Sequence, residues 1–241
     1  MSLAFLSPST DALSRSPMER QAAAAGASFE ERDGWNVAVR FDGLEAERKR
    51  VADSVGFADL SHLGKVELQA PAGALEAIAG VDLELGSATP AARTWWCPYT
   101  PTRALALCEP SALPALRDRL QEAAADREGL TSVVDVTTAF AAIAVGGPLA
   151  REVFARFTAI DLRDQVTPVR DFRPGSVGRT PGAILREGEQ RWLMLFGAAL
   201  GQYMWTVVAD AAESLGGGPV AADALEPVAA ARPQQEAAPR A

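Results

Sequence analysis

The chain has 241 residues, 48% of them hydrophobic and 22% charged, long enough for one large or two small domains with a buried core and unlike disordered or fibrous chains. Lys and Arg number 23 against 31 Asp and Glu, a net charge of −8 that repels nucleic acid and anionic membrane surfaces. One histidine, His62, and two cysteines, Cys97 and Cys108, remove nearly every His-based triad or ligand set, so no metal centre is expected.

No stretch approaches the ~18 consecutive apolar residues of a membrane span. The apolar patch Leu3 to Leu6 lacks the basic residues that precede a signal sequence. The expected location is cytoplasmic, with both thiols reduced.

In chain order, residues 1–27, rich in Ser, Pro and Ala from position 7, read as a tail or loosely docked arm. Leu44, Arg48, Val51 and Val55 fall at helical spacing, with Glu45 one turn before Lys49 and Gly56 placed to stop the helix. Gly64 to Ala70 predicts a half-buried strand, Val66 and Leu68 alternating with Lys65, Glu67 and Gln69. A short helix with Leu75 and Ile78 starts at Pro71. A strand over Arg103 to Glu109 and a helix over Ser111 to Glu128 follow, Leu113, Leu116 and Leu120 facing inward. The apolar strand Phe140 to Val145 runs into Gly146-Gly147-Pro148 and a helix through Phe157. Ala183 to Arg186 and Gln190 to Phe196 flank the turn Glu187-Gly188-Glu189 as a hairpin. The last helix places Leu200, Tyr203, Met204, Val207, Ala211 and Leu215 on one face and ends at Gly216 to Gly218. Residues 226–241 read as a flexible C-terminal tail. The pattern predicts an α+β fold with mostly antiparallel sheets and packed helices.

Few residues offer chemistry. Gly146-Gly147-Pro148 lacks the spacing of a phosphate loop and reads first as a tight turn. His62 lies between a helix end and a strand, where fixing the turn is the simpler role and catalysis the sharper one. Cys97 and Cys108 read as buried thiols. Trp95-Trp96-Cys97-Pro98-Tyr99 is the densest aromatic cluster, suited to a core, an interface or a stacking platform for a flat heterocycle.

Gly34-Trp35, Glu47-Arg48 and the run Val55-Gly56-Phe57-Ala58-Asp59-Leu60-Ser61-His62-Leu63-Gly64-Lys65 together resemble the opening of the folate-binding T-protein (aminomethyltransferase) superfamily. Ala144-Val145-Gly146-Gly147-Pro148-Leu149-Ala150, with Ile160-Asp161-Leu162 after it, is similar to that family's strand-turn-helix. Thr180, Leu185, Arg186, Tyr203 and Trp205 resemble most the gamma subunit of heterotetrameric sarcosine oxidase. The resemblance covers residues 28–225 and implies a T-protein-like folate-binding domain of two α+β halves.

It also implies a paired aspartate in the stretch corresponding to Ala91 to Tyr99, which here holds no Asp or Glu. The charge that would stabilise a cationic intermediate and orient a pterin is therefore missing. The family's Tyr-Thr-Gly-Glu glutamate falls near Glu187 or Glu189 without its neighbours, and neither cysteine sits in the motif of the iron-sulfur maturation branch. The resemblance thus points to an accessory subunit of a folate-linked amine oxidase complex, with flavin chemistry and partners on other chains. The alternatives are a compact tetrahydrofolate-dependent aminomethyltransferase and a noncatalytic folate-binding module. Candidate catalytic residues are Asp59 and His62. Candidate tetrahydrofolate contacts are Trp96, Tyr99 and Glu189.

Overall fold

The computed structural model describes residues 12–225, apart from 72, 126 and 128. The apolar patch at Leu3 to Leu6, the tail at 226–241 and the expected helix end at Glu128 lie outside the described residues.

The chain opens with β1 (Ser14–Arg15), α1 (Glu19–Ala24), β2 (Ser28–Arg32), β3 (Trp35–Arg40) and α2 (Leu44–Asp53). Next come β4 (Gly56–Asp59), β5 (Gly64–Gln69), α3 (Ala74–Ala79), β6 (Thr89–Ala91), β7 (Thr94–Thr100), β8 (Arg103–Cys108), α4 (Leu113–Ala125) and β9 (Ser132–Asp135). The chain continues through β10 (Phe140–Gly146), α5 (Ala150–Ala155), β11 (Phe172–Val177), β12 (Thr180–Gly188) and β13 (Arg191–Gly197). It closes with α6 (Gly201–Glu213), β14 (Gly218–Pro219) and α7 (Ala222–Leu225).

Two sheets stack between two helical layers. The larger has the order β11-β12-β13-β10-β4-β14 and the smaller β6-β7-β8-β5-β9. All their pairings are antiparallel except β14 beside β4. The smaller sheet is one continuous excursion between β4 and β10, which are neighbours in the larger. A third sheet, β1-β3-β2, rests on the main core through Phe29 and Ala38. The architecture is α+β and mostly antiparallel, as the sequence predicts.

The side chains of β10 and β13 show why these strands read as unbroken apolar runs: both faces are covered. Ile143, Val145, Trp192, Met194 and Phe196 pack toward α5 and α6, while Ala142, Ala144, Leu193 and Leu195 meet Cys97, Leu105 and Leu107 of the smaller sheet. The far face of the smaller sheet carries Val66, Leu68, Trp96 and Ala106 against Leu75, Ile78, Leu116 and Leu120 of α3 and α4.

Several expectations need correction. Gly56 does not stop a helix; it begins β4, where a Cβ would lie 2.6 Å from Val51 Cγ2 and 2.9 Å from Val220 Cγ2. On α6 the inward face is Met204, Trp205, Val208, Ala211 and Ala212, and Tyr203 is 46% exposed, because its phenol reaches sideways to donate to the carbonyl of Gly178 at 2.9 Å. Lys65 lies not on a wet strand face but fully buried. Residues 12–27, expected as a tail or loose arm, contribute Met18 and Ala22 to the core.

Candidate functional site

The strand β4 ends at Asp59, and the bend that follows brings Asp59 and His62 to one small cavity. Phe29, Trp35, Asn36, Val37 and Ala38 of the third sheet form its floor, and Ser16 and Glu19 its cover. The bend is held by short-range bonds: Asp59 accepts the Ser61 N–H at 2.9 Å, and the Ser16 hydroxyl donates to the same carboxylate. Burial pushes the Asp59 carboxyl above its ordinary range, opposed by the Ser16 and Ser61 bonds and the Lys65 ammonium.

Lys65 supplies the other half of the support. Its Nζ donates to the carbonyls of Ser61 at 2.9 Å, Leu63 at 2.8 Å and Thr137 at 3.4 Å. Three acceptors match the three protons of an ammonium, which is what makes full burial tolerable. Burial still draws its pKa down to about 8. His62 is pushed further, down to about 4, by burial and by the charges of Lys65 and Arg32. Near pH 7 the imidazole is therefore neutral; the carboxylates whose charge acts on it are Asp33 and Asp223, while Asp59 and Glu19 line the same cavity without a hydrogen bond to it. The free volume there is about 10 Å³, room for one water and far below the ~300–1,000 Å³ of a small-molecule pocket.

The candidate tetrahydrofolate contacts do not converge. Trp96 is 2% exposed and faces α3 and α4, with the guanidinium of Arg119 5.9 Å from its ring centre; it is core. Tyr99 points to the opposite face of β7, where its hydroxyl donates to Glu67. Glu189 sits at the β12–β13 turn with its side chain 85% exposed, bonded to Arg186. Alternation along one strand separates the first two, and a hairpin tip isolates the third. As they stand these residues do not form a folate site within this chain, and no chemical step is routed through folate.

Gly146-Gly147-Pro148 is a packed turn. The Gly147 N–H donates to Gln190 O at 2.9 Å and that of Leu149 to Ser54 O at 3.1 Å, so these donors are consumed. Two supports were not singled out from sequence. Glu47, fully buried, accepts the N–H groups of Phe41, Asp42, Gly43 and Ala221 at 2.7–3.1 Å. Lys65 is the other. The only sequence signal for either is its place in the Glu-Arg and Gly-Lys pairs of the resemblance.

No family model matches the chain. A probable aminomethyltransferase from Halobacterium salinarum is 42% identical over 59 residues, 24% of this chain and 16% of that protein. A chain of the heterotetrameric sarcosine oxidase from Corynebacterium sp. U-96, solved in complex with pyrrole 2-carboxylate, superposes with a TM-score of 0.67 and 25% identity, over 86% of this chain and 99% of its own. The glycine cleavage system aminomethyltransferase T from Bartonella henselae gives a TM-score of 0.71 at 16% identity, over 88% of this chain and 60% of its own. The chain has the T-protein fold and resembles that superfamily in sequence over one segment.

In this T-protein-like fold the stretch Ala91 to Tyr99 is the β6–β7 hairpin. Ala92 and Arg93 occupy its turn with φ of 47° and 62°, the left-handed region that glycine adopts most easily. Beyond the turn Trp96 and Cys97 are buried on opposite faces, and burial pushes the Cys97 thiol well up. Cys97 and Cys108 are free and buried. Among the described residues, no group of His, Cys, Asp and Glu has the arrangement of a metal site. No helix among them is long and apolar enough to cross a membrane.

Proposed function

We propose that this chain is an accessory subunit of a folate-linked amine oxidase complex, with the flavin chemistry on other chains. The observation that carries the reading is one of extent. The superposed chain of the heterotetrameric sarcosine oxidase is matched over 99% of its length, whereas the aminomethyltransferase from Bartonella is matched over 60% and the curated relative over 16%. The packing of β7 supports it: where the resemblance implies a working carboxylate, the chain has Trp96 and Cys97 sealed into two apolar layers. A cytoplasmic location fits two free, buried thiols.

The test is recovery from the native host. A tagged copy should bring down flavin-bearing subunits in fixed stoichiometry; elution as a lone monomer overturns the reading.

A second reading, tetrahydrofolate-dependent aminomethyl transfer, draws on the 42% identical segment and on Asp59 and His62 sharing one cavity. Calorimetric titration with tetrahydrofolate decides it. Saturable heat lost in Asp59→Asn supports transfer, and no heat together with no turnover of an aminomethyl donor removes it.

A further inference from the structure

The cover of the Asp59–His62 cavity differs from its walls in how it is attached. Residues 14–24 pair with the third sheet at Ser14 beside Trp35 and Arg15 beside Asn36, and the Ser14 N–H donates to the Gly34 carbonyl at 2.9 Å. Ser16 adds one hydrogen bond to Asp59. Pro17 lies against Gly201, where a Cβ would come within 2.7 Å of it, and Met18 and Ala22 are the buried anchors. The helix α1 has six residues and no side-chain cap at its start, too short to hold itself together.

The closed position also leaves polar groups unsatisfied. Two buried acceptors on α1, Glu19 Oε2 and Gln21 Oε1, find no hydrogen-bond partner among the described residues. A buried acceptor without a partner loses its hydration without replacement, and opening restores it. Few attachments, a marginal helix and two orphaned acceptors on the same six residues mark a segment drawn from the low end of the local stability range. The strap carries two cavity-lining residues, Ser16 and Glu19. Asp59, His62, Trp35 and Asn36 line the same cavity, each half-buried with the strap in place.

We propose that residues 14–24 are a strap that opens from the body as a unit and controls access to Asp59 and His62. Closed, it leaves space for one water; open, it presents a carboxylate, an imidazole and an indole to small polar solutes. Nothing in this depends on membership of a complex, so the isolated full-length chain is the right sample.

His62 is the only histidine in the sequence, which makes acylation by diethyl pyrocarbonate a single-site probe. With its pKa near 4, protection at pH 7 reports access rather than protonation. The wild-type imidazole should react more than tenfold slower than free imidazole, at a rate flat in low urea, because strap opening exposes little surface. Ser16→Ala, which removes the latch, should raise the rate about five- to tenfold. Amides of residues 14–24 should exchange with deuterium well ahead of those in β10. A rate that climbs steeply with urea assigns exposure to global unfolding and overturns the strap. So does a rate unchanged by Ser16→Ala, or one equal to free imidazole in the wild type. The urea series on the wild type stands even if Ser16→Ala folds poorly.

Discussion

Lys65 holds the loop of His62 from both sides: its Nζ donates to the carbonyls of Ser61 and Leu63, the residues that flank the imidazole, at 2.9 and 2.8 Å. A buried ammonium with three carbonyl acceptors is costly to insert and costlier to remove, because removal leaves the acceptors dry and unpaired. Lys65→Met should lower stability by about 2–4 kcal/mol. The readout is the urea midpoint at unchanged slope, and a midpoint equal to the wild type's would show the ammonium to be dispensable.

Trp96 fills the layer between the smaller sheet and its helices, where it is 2% exposed. Trp96→Ala should cost about 3–5 kcal/mol, and Trp96→Phe appreciably less. An isolated chain that keeps its melting point in Trp96→Ala would return this residue to the list of interface candidates.

The pH dependence follows from His62. Its native pKa is pushed down to about 4, while an unfolded imidazole titrates near ~6.5. Between those values the unfolded chain binds a proton that the native chain does not. The His62 contribution to stability is thus fully present above about pH 6.5 and is lost as pH falls toward 4. Carboxylates titrate in the same window, so the measurement is a difference: melting points of wild type and His62→Gln should converge as pH falls from 7 to 4.5. Parallel curves would mean the imidazole is not held neutral.

Gly147 has φ of +122°, and a Cβ there would lie 2.5 Å from both the Ser54 and Val51 carbonyl oxygens. Backbone cannot give way as a side-chain tip can. Gly147→Ala should therefore cost about 3 kcal/mol or more. Gly146→Ala meets the movable Leu225 Cδ2 at 3.0 Å and should cost less. Thermal melting of the two variants side by side ranks them, and the reverse order would refute the turn as the source of the glycine requirement.

What could be read in advance was what is local. The apolar run of β10, the β12–β13 hairpin around Gly188 and the inward leucines Leu116 and Leu120 of α4 follow from periodicity and turn residues within a dozen positions. The β2–β3 hairpin also had a signal, Asp33-Gly34, both at positive φ, which served only as part of a motif. The β6–β7 turn had none, since Ala92-Arg93 is an unusual pair for left-handed backbone. The candidate site was legible as residues and not as a place. Asp59 meets Ser16 across 43 positions, and Glu47 meets Ala221 across 174, distances that no window of spacing spans. The polar side of β5 misled for the same reason: whether an alternating strand faces water depends on a second sheet built from residues far downstream.

Where the two sheets meet, the larger contributes Ala58, Ala142, Ala144 and Ala183 beside Leu193 and Leu195, so these methyl groups leave the room that Leu105 and Leu107 of the smaller sheet fill. Enlarging any of these positions would pry apart β4, β10 and β12 together.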